Sequence, residues 1–292
     1  MRQALEAMRF ASDDISLHKR FMREIFIFAS ELDFAQSPPA FAQKIHRRLR
    51  EITGVKDPYF NVKRSFNKLA LDMFHDIEMQ VNNSEYPFEA AVKFAIAGNI
   101  IDSGAKAALS ENEVKKTLNK AVSVPLHGNV NAFKKAVNNA GSVLYLTDNA
   151  GEIVFDRLLI NFLPLKRTVI AVRGVPVIND ATMQDAEAAG LHKMAHVINN
   201  GSDAPGTILE DCSDEFLEHF ENADIVIAKG QGNYETLSGK KDKNIFFLLK
   251  VKCPVIAANT GFPIGTHLLL KTPDTIKSTK EKDSYNFEII NA

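Results

Sequence analysis

The sequence has 292 residues, and its 35 Lys and Arg residues nearly balance its 36 Asp and Glu residues. A chain of this length can bury a sizeable core, as one large domain or two modest ones. Its formal net charge of −1 gives no general attraction to nucleic acid or anionic lipid, so any anion-binding site must be local. The sequence has neither an apolar run of membrane-spanning length nor the apolar core of a signal peptide, which predicts a soluble cytoplasmic protein.

The part of the chain up to about residue 125 is predicted to be a helical lobe. Apolar residues recur at helical spacing over 17–32, 40–52, 66–81 and 88–101. The run Ser37-Pro38-Pro39 breaks the first segment, and Gly54 ends the second. Asp57 and Pro58 suit the start of a further segment, as a cap and as a first-turn residue.

From about residue 126 short β-type runs alternate with amphipathic helical patterns. This alternation predicts an α/β fold, with a mainly parallel sheet flanked by helices in a Rossmann-like core. The predicted strands are 143–146, 169–172, 196–199, 224–228 and 254–257, with 268–270 as a further candidate. The predicted helices are 153–162, 181–189, 214–222 and 244–250. The expected organisation is a helical lobe over 1–125, an α/β core over 126–270 and a polar surface tail over 271–292.

The two cysteines, Cys212 and Cys253, lie far apart in the sequence and do not form a metal-ligand pair. We interpret them as reduced and buried, since a structural disulfide is not expected in the predicted compartment.

Distinctive polar sequences follow three of the predicted strands. They are Asp148-Asn149-Ala150-Gly151-Glu152, the segment 177–182 with Asn179-Asp180, and the segment 229–235 that begins Lys229-Gly230-Gln231-Gly232. In an open parallel sheet these three segments lie at one edge, where ligands bind. The oxygen side chains of Asp148 and Asn149 are of the kind that suits Mg²⁺ or Mn²⁺.

This combination of side chains suits phosphoryl transfer to water. A divalent ion on carboxylates can bridge to phosphate, Lys229 supplies a positive point charge, and Gly230 and Gly232 allow backbone N–H groups to approach. Each element also has a simpler interpretation. Asp148, Asn149 or Asp180 can cap a helix, Lys229 can be a solvated lysine, and the glycine pair lacks the full dinucleotide fingerprint. The coincidence of all three patterns with strand ends favours the functional interpretation.

Asn99 and Asp102 form a fourth candidate in the helical lobe. They are three residues apart and therefore share one face of an otherwise apolar helix. Polar groups on such a helix need partners if they are buried. They either face solvent or cap the helix end, or they close over the strand-end site from the helical lobe.

At these residues the chain resembles the metal-dependent damage-control phosphatases, first catalogued as domain of unknown function 89. The matching segments are 98–102, 148–152, 178–182 and 229–237, in the same order and at approximately the same spacing. The similarity extends over most of residues 1–260. The resemblance implies a helical lobe on an α/β catalytic core that binds a divalent metal.

The resemblance also implies roles for individual residues. Asp148, Asn149 and Asp180 are expected to hold Mn²⁺, Co²⁺, Ni²⁺ or Mg²⁺. Lys229 is expected to contact phosphate together with Gly230, with three further polar residues nearby, which are Asn99, Asp102 and Glu152. The expected substrate is a small phosphorylated metabolite, such as a sugar phosphate or a damaged phosphometabolite, and neither nucleic acid nor membrane is an expected partner.

One feature of similar microbial proteins differs from this chain. They commonly carry a Cys-x-x-Cys pair just before a helix like the segment 2–7, and this sequence has no such pair. Either the start is truncated or this branch lacks the pair. Any role of those cysteines in a second metal site is therefore not carried over to this chain.

The residues leave two points of mechanism and function open. Asp148 can act as a nucleophile through a phospho-aspartyl intermediate, or a metal-bound water can attack while a carboxylate takes the proton. Two rival functions are a carboxyl methyltransferase that uses S-adenosylmethionine and a non-catalytic protein that binds a phosphometabolite. A methyltransferase has no need for the predicted metal ligands, and the sequence shows no Gly-rich first turn followed by an acidic strand end.

Overall fold

The computed structural model describes residues 1–99 and 111–272. Helices make up the first part of the chain, as predicted. They are α1 (Arg2–Ala11), α2 (Ile15–Ser30), α3 (Pro38–Thr53), α4 (Phe60–Asn82), α5 (Pro87–Ala97) and α6 (Glu111–Val122). Local sequence sets several boundaries. Asp14 Oδ1 caps α2 by accepting from Ser16 N at 2.7 Å, and Gly54 ends α3 with a φ of 69°.

Seven strands of the described residues form one sheet. They are β1 (Leu126–His127), β2 (Val143–Leu146), β3 (Thr168–Val172), β4 (His196–Asn199), β5 (Ile225–Lys229), β6 (Ile245–Lys250) and β7 (His267–Lys271). Their order is β1-β7-β6-β5-β2-β3-β4. The β6–β7 pair is antiparallel and the other pairs are parallel, so the predicted mainly parallel sheet is confirmed.

Helices cover both faces of this sheet. Those in the second part of the chain are α7 (Val130–Asn139), α8 (Glu152–Ile160), α9 (Met183–Ala188), α10 (Asp214–Asn222), α11 (Gly230–Leu237) and α12 (Pro254–Thr260). Alternate residues of β2 serve the two faces. Val143 and Tyr145 join the core beneath α4, α5 and α8, whereas Leu144 and Leu146 join the core beneath α10, α11 and α12.

Two of the predicted elements are wrong, because a helix and a strand are exchanged. Residues 244–250 were expected to be a helix and form β6, while 254–257 were expected to be a strand and lie in α12. The continuous apolar run of β6 is ambiguous by period, since the strand is buried on both faces. Pro254 occupies the first turn of α12, a position that suits proline, and Gly261 ends that helix with a φ of 75°.

The cysteines differ in part from the expectation. Cys212 and Cys253 are both free thiols, and each is half-buried where full burial was expected. Burial raises the pKa of the Cys212 thiol to about 12, which makes it a poor nucleophile at neutral pH.

The helices α1, α2 and α3 surround a core of their own. Its fully buried side chains include Met8, Phe21, Ile25 and Leu49. By contrast, α4 and α5 belong to the core that also contains the β2 residue Tyr145. The division at residues 125 and 126 stays a prediction, and residues 273–292 of the predicted tail lie outside the described residues.

Candidate active site

The loop after β2 and the loop after β3 are joined at the carboxyl edge of the sheet. Ala181 N donates to Asp148 O at 2.8 Å, and Ala150 N donates to Asn179 O at 2.9 Å. A β-bridge pairs Asn149 with Asp180 across the same junction. The backbone therefore brings the three predicted metal ligands Asp148, Asn149 and Asp180 together, and all three side chains are buried.

Asn149 is oriented by two acidic neighbours. Its Nδ2 donates to Asp148 Oδ2 at 2.7 Å and to Glu152 Oε2 at 3.0 Å. Because both bonds use the amide nitrogen, the amide oxygen is the atom of Asn149 suited to ligate a cation. Asn99, just beyond α5, donates from Nδ2 to Glu152 Oε2 at 2.9 Å, so the helical part of the chain reaches this site. Asp102 lies outside the described residues.

Lys229 is fully buried and saturated with hydrogen bonds. Its Nζ donates to Glu152 Oε1 at 2.7 Å, to Asp156 Oδ1 at 2.6 Å and to Ala95 O at 2.7 Å. Burial alone would lower its pKa, but Asp156 and Glu152 outweigh this effect and raise it. An ammonium group has three donors, and all three are used here. The structure therefore rules out a solvated surface lysine, while the expected phosphate contact stays a prediction.

Negative charge is concentrated around Asp148. Burial raises the pKa of its carboxyl group well above the usual value, and the charges of Glu152 and Asp180 raise it further. Burial also raises the pKa of Asp180, although Arg173 Nε lies 2.7 Å from Asp180 Oδ2 and opposes the shift. A divalent cation would offset this repulsion, and carboxylate and amide oxygens are ligands that suit Mg²⁺ or Mn²⁺. The residues present therefore fit the implied metal.

Both the backbone conformation and the space at residue 230 require glycine. Its φ is 80°, and a Cβ atom built on it would lie 1.9 Å from Asp148 Oδ2. Only glycine combines this backbone conformation with the space that the carboxyl group occupies. The role of Gly230 in the structure is therefore to admit the Asp148 side chain, and its predicted phosphate contact stays a prediction.

Arg173 is a site residue that the sequence prediction missed. It is buried directly after β3, where its Nε pairs with Asp180 and its Nη2 donates to Asn233 Oδ1 at 3.2 Å. Asn233 in turn donates to Lys229 O at 2.8 Å and to Thr147 O at 3.1 Å. A charged residue immediately after a buried strand was the available signal, and Arg173 shares that position with the predicted Asp148 and Lys229 segments.

Lys252 was also missed. It is exposed two residues after β6, whose parallel pairing with β5 places its carboxyl end at the edge that carries the site. Its positive charge opposes the raised pKa of Asp148. The mistaken helix over 244–250 concealed its place at this edge.

The loop that carries Asp180 also contacts the helical part of the chain. Ile178 has a φ of 45°, a conformation that is rare for a β-branched residue. Its side chain packs against the core of α1, α2 and α3, and Arg50 Nη1 of α3 donates to Pro176 O at 3.0 Å. These contacts stabilise the unusual backbone conformation of Ile178, two residues before Asp180.

Comparison with known proteins identifies the family. The damage-control phosphatase ARMT1-like domain matches residues 1–268, and the chain belongs to this family. The family is metal-dependent, so the chain is a metal-dependent phosphatase of the damage-control class. Among the described residues, none of the helices is long and apolar enough to cross a membrane.

Relatives match over most of their lengths. An uncharacterized protein of Methanocaldococcus jannaschii is 37% identical over 287 residues, which is 93% of this chain and 92% of that protein. A protein of Archaeoglobus fulgidus named damage-control phosphatase is 40% identical over 228 residues, or 77% and 79% of the two chains. The crystal structure of a DUF89 family protein from Pyrococcus horikoshii has a TM-score of 0.84 at 32% identity, covering 92% of this chain and 95% of that one.

Proposed function

We propose that the chain hydrolyses a phosphate monoester of a small metabolite at the carboxyl edge of the sheet, with sugar phosphates or related damaged phosphometabolites as the substrate class. The observation that carries this proposal is the bridge between Asn149 and Asp180, because the oxygen-bearing side chains of Asp148, Asn149 and Asp180 are all buried at this junction. Membership of the damage-control phosphatase family supports the reaction class.

Asp148, Asn149 and Asp180 would hold the metal, for which Mn²⁺, Co²⁺, Ni²⁺ and Mg²⁺ are the candidates. When bound, such an ion offsets the charge of the carboxylates and polarises a phosphoryl oxygen. Asp148 serves either as the nucleophile or as the group that takes a proton from water. Both roles need its carboxyl group held in place, which the contacts with Asn149 and Gly230 provide.

Lys229 and Lys252 have different roles in this proposal. Lys229 fixes Glu152 from the buried side, and Glu152 in turn receives Asn149 and Asn99. Lys252 is exposed at the same edge, so its ammonium group is available to bind the phosphate of an incoming substrate. We therefore propose that Lys229 positions Glu152, in place of the phosphate contact expected from the sequence, and that Lys252 binds the substrate phosphate.

The decisive experiment measures phosphate release from a panel of phosphometabolites, first with EDTA and then with each candidate metal. We expect release from a subset of the panel only after metal is restored. Asp148→Asn should abolish release with little change in far-UV circular dichroism, whereas Asp214→Asn on the exposed start of α10 is the matched control and should stay active. A metallated, active Asp148→Asn protein would exclude this assignment, and tight metal-independent binding of S-adenosylmethionine would support methyl transfer instead.

A further inference from the structure

A second group of possible metal ligands lies outside the candidate active site. His196, Glu215 and His219 each offer one ligand atom, and these three atoms all lie within 4.8 Å of one another. The two imidazole rings have their centroids 6.2 Å apart, at an interplanar angle of 54°. His196 and Glu215 are exposed and His219 is half-buried, so solvent ions can reach the group.

The fold places this group at the amino ends of the strands, opposite the carboxyl ends that carry the candidate active site. His196 is the first residue of β4, whereas Asp148 and Asp180 follow the carboxyl ends of β2 and β3. Because β4 is parallel to β3, its first residue lies at the amino edge. β4 also ends the strand order in the described sheet. The group is therefore separate from the candidate active site in position as well as in composition.

The spacing within α10 suits shared ligation. Glu215 and His219 are four residues apart in one helix, so they project from the same face. In a tetrahedral site with metal–ligand bonds of about 2.0–2.1 Å, the ligand atoms lie about 3.3 Å apart. Ligation therefore requires the three atoms to come closer together, and the side chains of His196 and Glu215 are exposed.

The donor set differs from that of the active site in the metals it favours. Two imidazole nitrogens and one carboxylate suit zinc, cobalt, nickel or copper, whereas a set of oxygen ligands suits magnesium or manganese. Three protein ligands also leave a coordination position for water or a further ligand. The two sites should consequently respond differently to Mg²⁺ and to Co²⁺ or Zn²⁺.

We propose that His196, Glu215 and His219 form a peripheral binding site for a divalent transition metal. The bound ion joins the edge strand β4 to the helix α10. Because the ion binds the folded chain in preference to the unfolded chain, it stabilises the fold by mass action. Mg²⁺ should give no stabilisation through these residues, since it binds two imidazoles poorly.

The test is a titration of the full chain with Co²⁺, followed by its d–d absorption and by dialysis with metal analysis. The wild-type chain should retain about one more Co²⁺ per chain than His219→Ala or His196→Ala. The matched control is His75→Ala, which removes an exposed histidine from α4 and should bind as much Co²⁺ as wild type. Far-UV circular dichroism of each apo variant checks that the fold is kept.

A second readout separates this site from the active site. Asp148→Asn should keep the Co²⁺ spectrum assigned to the histidines, and His219→Ala should keep its Mg²⁺-dependent phosphate release. Equal Co²⁺ content and equal spectra in wild type and both histidine variants would overturn the proposal. A lower Co²⁺ content in the two histidine variants than in wild type would support the proposal, whether or not the chain releases phosphate.

Discussion

The carboxyl group of Asp148 lies directly against the backbone of Gly230, which gives this glycine a structural role besides the phosphate contact predicted from the sequence. A side chain at residue 230 would overlap Asp148 Oδ2. The observed position of the Asp148 carboxyl group is therefore possible only with glycine at residue 230. Sequence inspection identified both residues, but it could not show that they touch, because the contact joins loops after two different strands.

Gly230→Ala should abolish metal-dependent phosphate release. The new methyl group would displace Asp148, and the positive φ would cost more than about 1 kcal/mol of stability. The matched control is Gly190→Ala, where φ is 76° and a Cβ atom would have open space. Urea unfolding should show the cost of the positive φ in both variants and a larger loss for Gly230→Ala, which adds the overlap with Asp148, while release assays should show a loss for Gly230→Ala alone. Normal turnover by Gly230→Ala would contradict the proposed position of Asp148.

Replacement of the two lysines by methionine should separate positioning from substrate binding. Lys229→Met leaves Glu152 and Asp156 buried without their cation, so the free energy of unfolding should fall by about 3–5 kcal/mol. Lys252→Met removes an exposed charge and should change stability by no more than about 0.5 kcal/mol. The KM for the phosphate ester should rise about tenfold or more in Lys252→Met, since a charged hydrogen bond is worth about 1.5–3 kcal/mol.

Steady-state kinetics and urea unfolding of both variants provide the measurements. An unchanged KM in Lys252→Met would remove that residue from the proposed site. Lys229→Met with wild-type stability would show that its buried ion pairs do not hold the fold.

Among the elements, the ends of β2 to β5 and the existence of β7 were predictable, whereas β6 was not recognised as a strand. The strands β2, β3, β4 and β5 each follow turn residues and precede a helix, so their pattern was recovered to within one residue at each end. The run in β6 is apolar on both faces and has no period that marks it as a strand. Because β6 was predicted as a helix, the position of Lys252 at the carboxyl edge of the sheet was not recognised.

The pairings of the buried polar residues could not be read from the sequence either. Lys229 contacts Glu152 and Asp156 from α8 and a carbonyl from α5, and these contacts depend on how the helices pack on the sheet. Arg173 likewise reaches Asp180 through the fold of the intervening loop. The sequence predicted which edge of the sheet carries these polar residues, while tertiary packing decides which charges are matched.

Mild acid should lower the stability of the protein because His46, in helix α3, has a buried imidazole. This side chain is buried, and its Nε2 has no hydrogen-bond partner among the described residues. Burial, helped by the charge of Arg50, lowers its pKa to about 4 in the folded chain. Between about pH 6.5 and 4 the unfolded chain takes a proton that the folded chain refuses, so stability falls as pH falls, by about 3 kcal/mol at pH 4.

Urea unfolding across this pH range tests the effect of His46. His46→Gln should flatten the dependence, because the variant has no imidazole to protonate. The control is His192→Gln, which replaces an exposed histidine and should retain the wild-type slope. An unchanged slope in His46→Gln would assign the acid sensitivity to other groups.

At the scale of the whole molecule, the candidate active site carries excess negative charge in a buried position. Asp148, Glu152 and Asp180 all contribute to it, and Arg173 and Lys229 neutralise only part of it. Folding in the absence of metal must overcome this repulsion. Metal binding is therefore expected to affect the stability of the chain as well as its activity.

Mg²⁺ should raise the free energy of unfolding by about 2.7 kcal/mol at a concentration one hundredfold above its dissociation constant. Asp180→Asn should lose this stabilisation because it removes one proposed ligand. Asp214→Asn should keep it, since that residue is exposed on α10. Thermal unfolding with EDTA and with Mg²⁺ gives the comparison, and an equal response of Asp180→Asn and wild type would exclude that ligand.

The strand order also has a consequence for how the chain is made. In the described sheet β1 pairs with β7, and β7 lies between β1 and β6. Among the described strands β1 is synthesised first and β7 last. The strand β1 can therefore form its hydrogen bonds to β7 only after the whole sheet has been synthesised. The strands β2, β3 and β5, whose ends carry the candidate active site, are all synthesised earlier. The strand ends that carry the candidate active site can thus come together on the nascent chain before β1 pairs with β7.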